Sequence, residues 1–320
     1  MPARGRILPA ALVALALAAA VSFAVFLRTG DARPGRTSVA AARHRPGTPR
    51  RDAPAVAGRR VRRSLPAEPA TGPARLADEL NEAQRIIEDR ASSRRQLARA
   101  GLLEQLATGV LARHPVMRRR TFAELTPSAK AMMRTALAAA AALQSIVTPR
   151  RSVPKGWRIV RPPSARQLLT YDRDAQRATH VPWQILAAIG LVETRMGRLR
   201  GPSSAGARGP MQFLPATWAL YGRGDIDSAH DAIMAAARLL AANGAPRDIS
   251  RALYHYNPSA AYVRAVEIYA RRMQRDARAF DAFYNWQVLF RRVGGLVLLP
   301  VGYPAVPARP VRELTSRAAW

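Results

Sequence analysis

Glu193 stands alone among the acids of its neighbourhood: the preceding acidic residue is Asp174 and the following one is Asp225. The stretch that leads into it, WQILAAIGLV from Trp183, is almost wholly apolar. A carboxyl on such a helical segment is poorly solvated as an anion. A place near the helix C-terminus adds the negative end of the helix dipole, and both effects raise the pKa and keep the proton on near neutrality, as a general acid requires. The plain alternative is an exposed glutamate paired with Arg195 or Arg198. A loop of small residues follows, with Gly201, Gly206 and Gly209 beside Pro202, Ser203 and Ser204, so backbone can approach a ligand closely. It lacks phosphate-loop spacing and has no lysine after its last glycine, which argues against a nucleotide site. A simple helix-connecting turn has the same composition.

At the end of that loop a longer pattern emerges. Glu193-Thr194 is followed by Ser203-x-x-Gly206-Ala207-x-Gly209-Pro210-Met211-Gln212, then Leu214-Pro215-x-Thr217, then Tyr256-Asn257. This series resembles the motifs of the lytic transglycosylases, specifically the soluble-lytic-transglycosylase catalytic domain of the lysozyme-like superfamily. The E-T-R-x-G wording around Glu193 is similar instead to the membrane-bound B-type branch. The resemblance covers residues 164–278. Thr194 replaces the Ser common in the first group, Pro210 a common Leu, and Pro258 follows Asn257 where Ala-Gly is usual.

The resemblance implies cleavage of the β-1,4 bond between N-acetylmuramic acid and N-acetylglucosamine in peptidoglycan. One glutamate, here Glu193, protonates the leaving oxygen and then takes the proton of the muramyl 6-hydroxyl, which closes on C1 to give a 1,6-anhydro end. Ser203, Met211, Gln212, Tyr256 and Asn257 are the implied substrate-binding positions. Gln212 and Asn257 would donate hydrogen bonds to sugar groups, or else cap turns. Tyr256 would orient Glu193 or the substrate, and Ser203 would bond the glutamate or an acetamido group, or hold the loop. Most glycoside hydrolases flank the bond with two carboxyl groups, whereas residues 175–224 contain only Glu193. Asp225 or Asp227 could still fold back, so a hydrolytic muramidase stays open, as does a catalytically silent glycan-binding scaffold. No metal and no cofactor are expected, since the five histidines are scattered and cysteine is absent.

The elements that would position these residues are mostly helical. The 320 residues carry a net charge of +30, almost all of it arginine. Such a surface suits an anionic partner, but no nucleic-acid module is recognisable, and nucleic acid is not an expected partner. Residues 7–27 form an uncharged apolar run behind Arg4 and Arg6, read as a signal-anchor or a signal peptide within a 1–28 segment. Either places the rest outside the cytoplasmic membrane. Residues 29–73 are a basic Pro/Arg-rich linker without apolar periodicity, suited to tethering or to anionic cell-wall polymers. Residues 74–163 read as a helical accessory region with a proline-punctuated connector, in which Trp157 to Val160 is extended. Residues 164–290 read as the lysozyme-like catalytic domain, with Ser164, Pro182, Pro215 and either Asp227 or Ser228 at helix starts and stops at Gly197 and Gly244. Residues 291–320 are a tail with a β-prone stretch. The expected fold is thus mainly α, and the expected state a monomer.

Overall fold

Helix caps written in the sequence set the frame. The computed structural model describes residues 65, 68–147, 149–293 and 295–311. The apolar run at 7–27, nearly all of the linker and the polar end of the tail lie outside the described residues. Among those described, no helix is long and apolar enough to cross a membrane. The fold is mainly helical, with eleven helices and five short strands among the described residues.

The first four helices are α1 (Pro73–Glu88), α2 (Arg94–Arg113), α3 (Pro115–Glu124) and α4 (Pro127–Gln144). Ser93 opens α2 with a capping box completed by Gln96, and Thr126 caps α4 through the backbone N–H of Ala129. Pro115 ends α2, as expected, but it also starts α3, because a proline in the first turn lacks only an N–H the helix would not have used. Then come β1 (Arg158–Ile159), α5 (Ala165–Thr179), α6 (Trp183–Thr194) and β2 (Leu199–Arg200). They lead to α7 (Pro215–Tyr221), α8 (Ala229–Ala242), α9 (Ile249–Tyr256), α10 (Ala260–Arg275) and α11 (Ala279–Tyr284). A three-stranded antiparallel sheet closes the described chain in the order β3 (Val288–Arg292), β4 (Gly295–Leu299), β5 (Arg309–Pro310). The sequence pointed to β4 and not to β3, which runs straight on from the aromatic residues of α11.

Helix α6 is the centre of the larger core. All of its residues but Gln184 are buried, and α5, α8, α10 and α11 surround it. Such an all-round apolar helix has no solvated face and forms only when neighbours cover it. Helix α10 lays Tyr262, Val266 and Tyr269 into this core, as its spacing predicts. On its other side it packs on α4, whose Ala139 and Leu143 enter the same core.

The α1–α4 layer is fastened to α10 and α11 by buried polar contacts. Glu104 of α2 and Arg272 of α10 form a buried ion pair, with Nη2 to Oε2 at 3.0 Å, and the guanidinium lies 4.7 Å over the Phe283 ring. Gln105 and the backbone of Gln287 exchange two hydrogen bonds of 2.9 and 2.8 Å. Arg278 donates to the carbonyls of Ile87 and Asp89. Gly101 lets α2 approach α11 closely, for a Cβ there would sit 2.4 Å from the Ala282 carbonyl oxygen.

A small β cap completes the unit. Strands β1 and β2 pair antiparallel, and their inward residues Ile159 and Leu199 join Trp157, Val288, Phe290, Val297 and Leu299 in a separate apolar cluster. Ile159 and residues 302–303 exchange backbone hydrogen bonds, which ties this ribbon to the loop after β4.

Candidate active site

Glu193 sits one residue from the end of α6 and is 3% exposed. The Tyr262 hydroxyl donates to its Oε1 at 2.7 Å. Its other oxygen, Oε2, makes no hydrogen bond and is not among the side-chain oxygens sealed from solvent, so it is the one able to meet a ligand. Burial pushes the carboxyl up from 4.5 to about 8, and the Tyr262 hydrogen bond, which favours the anion, opposes only part of that rise. The exposed, ion-paired alternative does not hold. Arg195 turns back to the Leu191 carbonyl and lies 5.8 Å over Trp286, while Arg198 donates to the carbonyls of Trp286 and Tyr284.

The helix stops earlier than its glycine suggests. Arg195, Met196 and Gly197 all take left-handed φ angles of 55°, 61° and 80°, so the turn begins two residues before Gly197. Non-glycine residues adopt this region at a cost of about 1–3 kcal/mol each, and only where surrounding contacts hold them. Thr194 supplies such contacts: its hydroxyl donates to the Pro210 carbonyl at 2.6 Å and accepts from the Gly197 N–H at 2.9 Å. The side chain next to Glu193 thereby ties the end of α6 to the loop that carries Met211 and Gln212.

That loop has a defined scaffold. The Ser203 hydroxyl accepts from the N–H groups of Ala205 and Ala207, so Ser203 is engaged in shaping the loop. Gly209 has φ 73° and lies against the backbone of residue 226, where a Cβ would come within 1.9 Å of a carbonyl oxygen. Met211 is buried against Gly190. Gln212 takes φ 51°, and its Nε2 donates to the Gly209 carbonyl at 3.0 Å and toward that of Gly201 at 3.5 Å. Its Oε1 is buried without a partner. Of the two expectations for Gln212, the arrangement is that of a residue holding its turn, with its amide N–H groups spent on loop carbonyls. Asn257, also buried, likewise leaves its Oδ1 unpartnered. Native structures leave few buried polar atoms unpaired, but both of these oxygens are sealed from solvent, so neither faces a ligand in this conformation.

Tyr256 links the loop to the acid. Its hydroxyl donates to the Met211 carbonyl at 2.5 Å, and its ring stacks on Tyr262 at 6.3 Å and 7°. Phe213 packs edge-on against both Tyr256 and the half-buried Trp218. Tyr256 thus stands between the Met211 carbonyl and Tyr262, the residue bonded to Glu193. The sequence reading placed Tyr262 on the buried side of α10 without assigning it a role, because a tyrosine at helical spacing in an apolar stripe looks like core.

Another buried acid, beside α6, has no role in the sequence analysis. Asp172 of α5 is 2% exposed, and burial holds its carboxyl well above the usual carboxylate range. It lines a small apolar pocket with Leu186, Gly190, Met196 and Met211, with room for about one water molecule. Its Oδ1 has no partner. Asp225 and Asp227 stay exposed, and Asp227 pairs with Arg200 and Arg208. No three His, Cys, Asp or Glu residues among those described are grouped to hold a metal ion. No family model, curated protein or solved structure matches the chain.

Proposed function

We propose that the protein is a peptidoglycan lytic transglycosylase with a lysozyme-like catalytic fold. The observation that carries this reading is Glu193: a buried carboxyl that holds its proton at neutral pH, bound at one oxygen by Tyr262 and free at the other. In this mechanism Oε2 delivers the proton to the glycosidic oxygen as the bond to C1 breaks. The resulting carboxylate is stabilised by the Tyr262 hydroxyl and takes the proton of the muramyl 6-hydroxyl, whose oxygen bonds to C1. One carboxyl is then sufficient, because the substrate supplies its own nucleophile. The surroundings favour this over hydrolysis, which needs a second ionised carboxylate near the bond. Asp172 is held neutral, Glu104 is committed to Arg272, and Asp227 is paired at the surface.

Gln212, through its bonds to the Gly209 and Gly201 carbonyls, holds the loop that would line the glycan, and Met211 forms part of the supporting wall. The apolar run at 7–27 supports export, either tethered to the membrane or secreted after cleavage, with the basic linker suited to anionic wall polymers. Mass analysis of the products from purified glycan strands tests the proposal. Anhydro ends weigh one water less than hydrolysed ends, so hydrolysed ends would convert the reading to a muramidase. Undiminished cleavage by a Glu193→Gln variant would remove Glu193 from the chemistry.

A further inference from the structure

The β cap carries cations without anions. Residues 145–170, 195–224 and 282–311, which supply β1 to β5 and their connections, contain no Asp or Glu. Arg151, Lys155, Arg158, Arg161, Arg292 and Arg309 are all exposed there and form no ion pair among the described residues. The arginines are also set against one another. In the two-stranded ribbon Arg158 stands directly opposite Arg200, and an isolated bridge pairs Arg150 with Arg292. Directly opposed residues on a ribbon share a face with Cβ atoms about 5 Å apart, and like charges so placed destabilise the pairing. Only Asp227 relieves this, through Arg200, whose Nη1 donates to the Asp227 carbonyl at 2.6 Å and lies 3.9 Å from its carboxylate. The cross-strand pair of Arg158 and Arg200 is better explained by an anion from outside than by the stability of the ribbon.

The position of the ribbon selects the anion. Arg200 is followed by Gly201, the residue toward whose carbonyl Gln212 directs its Nε2. Gly201 packs on Trp157, whose indole N–H donates to the Pro202 carbonyl at 3.2 Å. The arginine ribbon therefore begins one residue from the candidate glycan-binding loop. Guanidinium groups match carboxylates with paired, planar hydrogen bonds. We infer that the β cap docks the carboxylates of the peptide stems borne by the glycan strand, so that the substrate is stem-bearing rather than naked glycan. This inference rests on the peptidoglycan reading above.

Arg309 is left out, because the register sets it opposite Leu298 on the other face of the sheet from Arg292; the test compares the full chain with an R158Q/R292Q variant and a charge-keeping R158K/R292K variant. Each is assayed on stem-bearing glycan and on the same glycan stripped of its peptides. An exposed guanidinium–carboxylate contact is worth about a two- to fivefold factor in affinity. The expected result is a KM raised about tenfold for the glutamine variant on stem-bearing glycan, an unchanged KM on stripped glycan, and a smaller rise for the lysine variant, which keeps the charge but not the paired planar geometry. Co-sedimentation with both insoluble glycans in a Glu193→Gln background gives a reading independent of turnover. If the parent cleaves neither glycan, the transglycosylase reading falls while sedimentation still decides the cap. Retention of the glutamine variant equal to the parent's on stem-bearing glycan overturns the inference, as does an equal loss on stripped glycan. Loss of binding only to vesicles of anionic lipid would assign the face to a membrane instead, and also overturn it.

Discussion

Replacing Glu193 by Gln should abolish activity and stabilise the protein, and the stabilisation can be worked out. The folded carboxyl titrates at about 8 against an ordinary value of 4.5. A group whose folded pKa is raised contributes its full stability below the unfolded value and loses it as pH rises to the folded one. Between 4.5 and pH 7 the unfolded chain releases this proton while the folded chain keeps it. That interval of about 2.5 pH units, at about 1.4 kcal/mol per unit, amounts to about 3 kcal/mol lost by the parent at pH 7. Gln keeps the shape of Glu and an oxygen for Tyr262, but does not titrate. Urea unfolding of both proteins should give coincident stabilities at pH 4. At pH 7 the Gln variant should lead by about 3 kcal/mol, and the gap should stop growing above about pH 8. Asp172 titrates in both proteins and cancels. Equal stability at pH 7 would show that the carboxyl is neither buried nor protonated, and would refute the general-acid argument at its root.

Further outcomes follow from the same contacts. Tyr262→Phe removes the hydrogen bond that favours the Glu193 anion, so the alkaline limb of the pH profile of kcat/KM should move up while the rate falls by about tenfold or more; an unmoved limb would detach Tyr262 from the acid. Asp172→Asn should match the parent below pH 3.8, the ordinary carboxyl value, and become progressively more stable than the parent as pH rises, measured by denaturant unfolding. Arg272→Ala should cost about 3–5 kcal/mol by stranding Glu104, whereas a paired Glu104→Leu and Arg272→Met exchange should restore most of it. Gly101→Ala should destabilise by about 1–3 kcal/mol as its Cβ pushes α2 away from Ala282, visible as a lowered Tm.

Local chemistry was legible where a single residue settles the matter. Ser93, Thr126, Ser164 and Ser228 all cap helices through the expected backbone N–H groups, and the burial of Glu193 followed from the apolar run before it. What escaped depended on partners distant in the chain. The end of α6 was displaced from Gly197 because Thr194 reaches Pro210 and holds two non-glycine residues in left-handed geometry. Asp172 lies in the charged run Tyr171-Asp172-Arg173-Asp174, which looks like a solvated face, yet one position of the four turns inward onto α6. Tyr262 could have been singled out only by knowing that its helix crosses α6 at Glu193. The missed α3 reflects proline's double meaning as a helix stop and a helix start.

The interlocking of α4 with α10, and of Glu104 with Arg272, has a consequence for how such a protein can change over evolutionary time. The motifs begin at Ser164, and a gene fragment cut there would look self-sufficient. Its product would enter the world with the apolar flank of α10 bare and an unpaired guanidinium in place of a buried ion pair. Recombination at that seam would therefore be purged as an aggregating intermediate before its activity could be selected. The helices of the α1–α4 layer and the candidate site therefore depend on one another for a covered core.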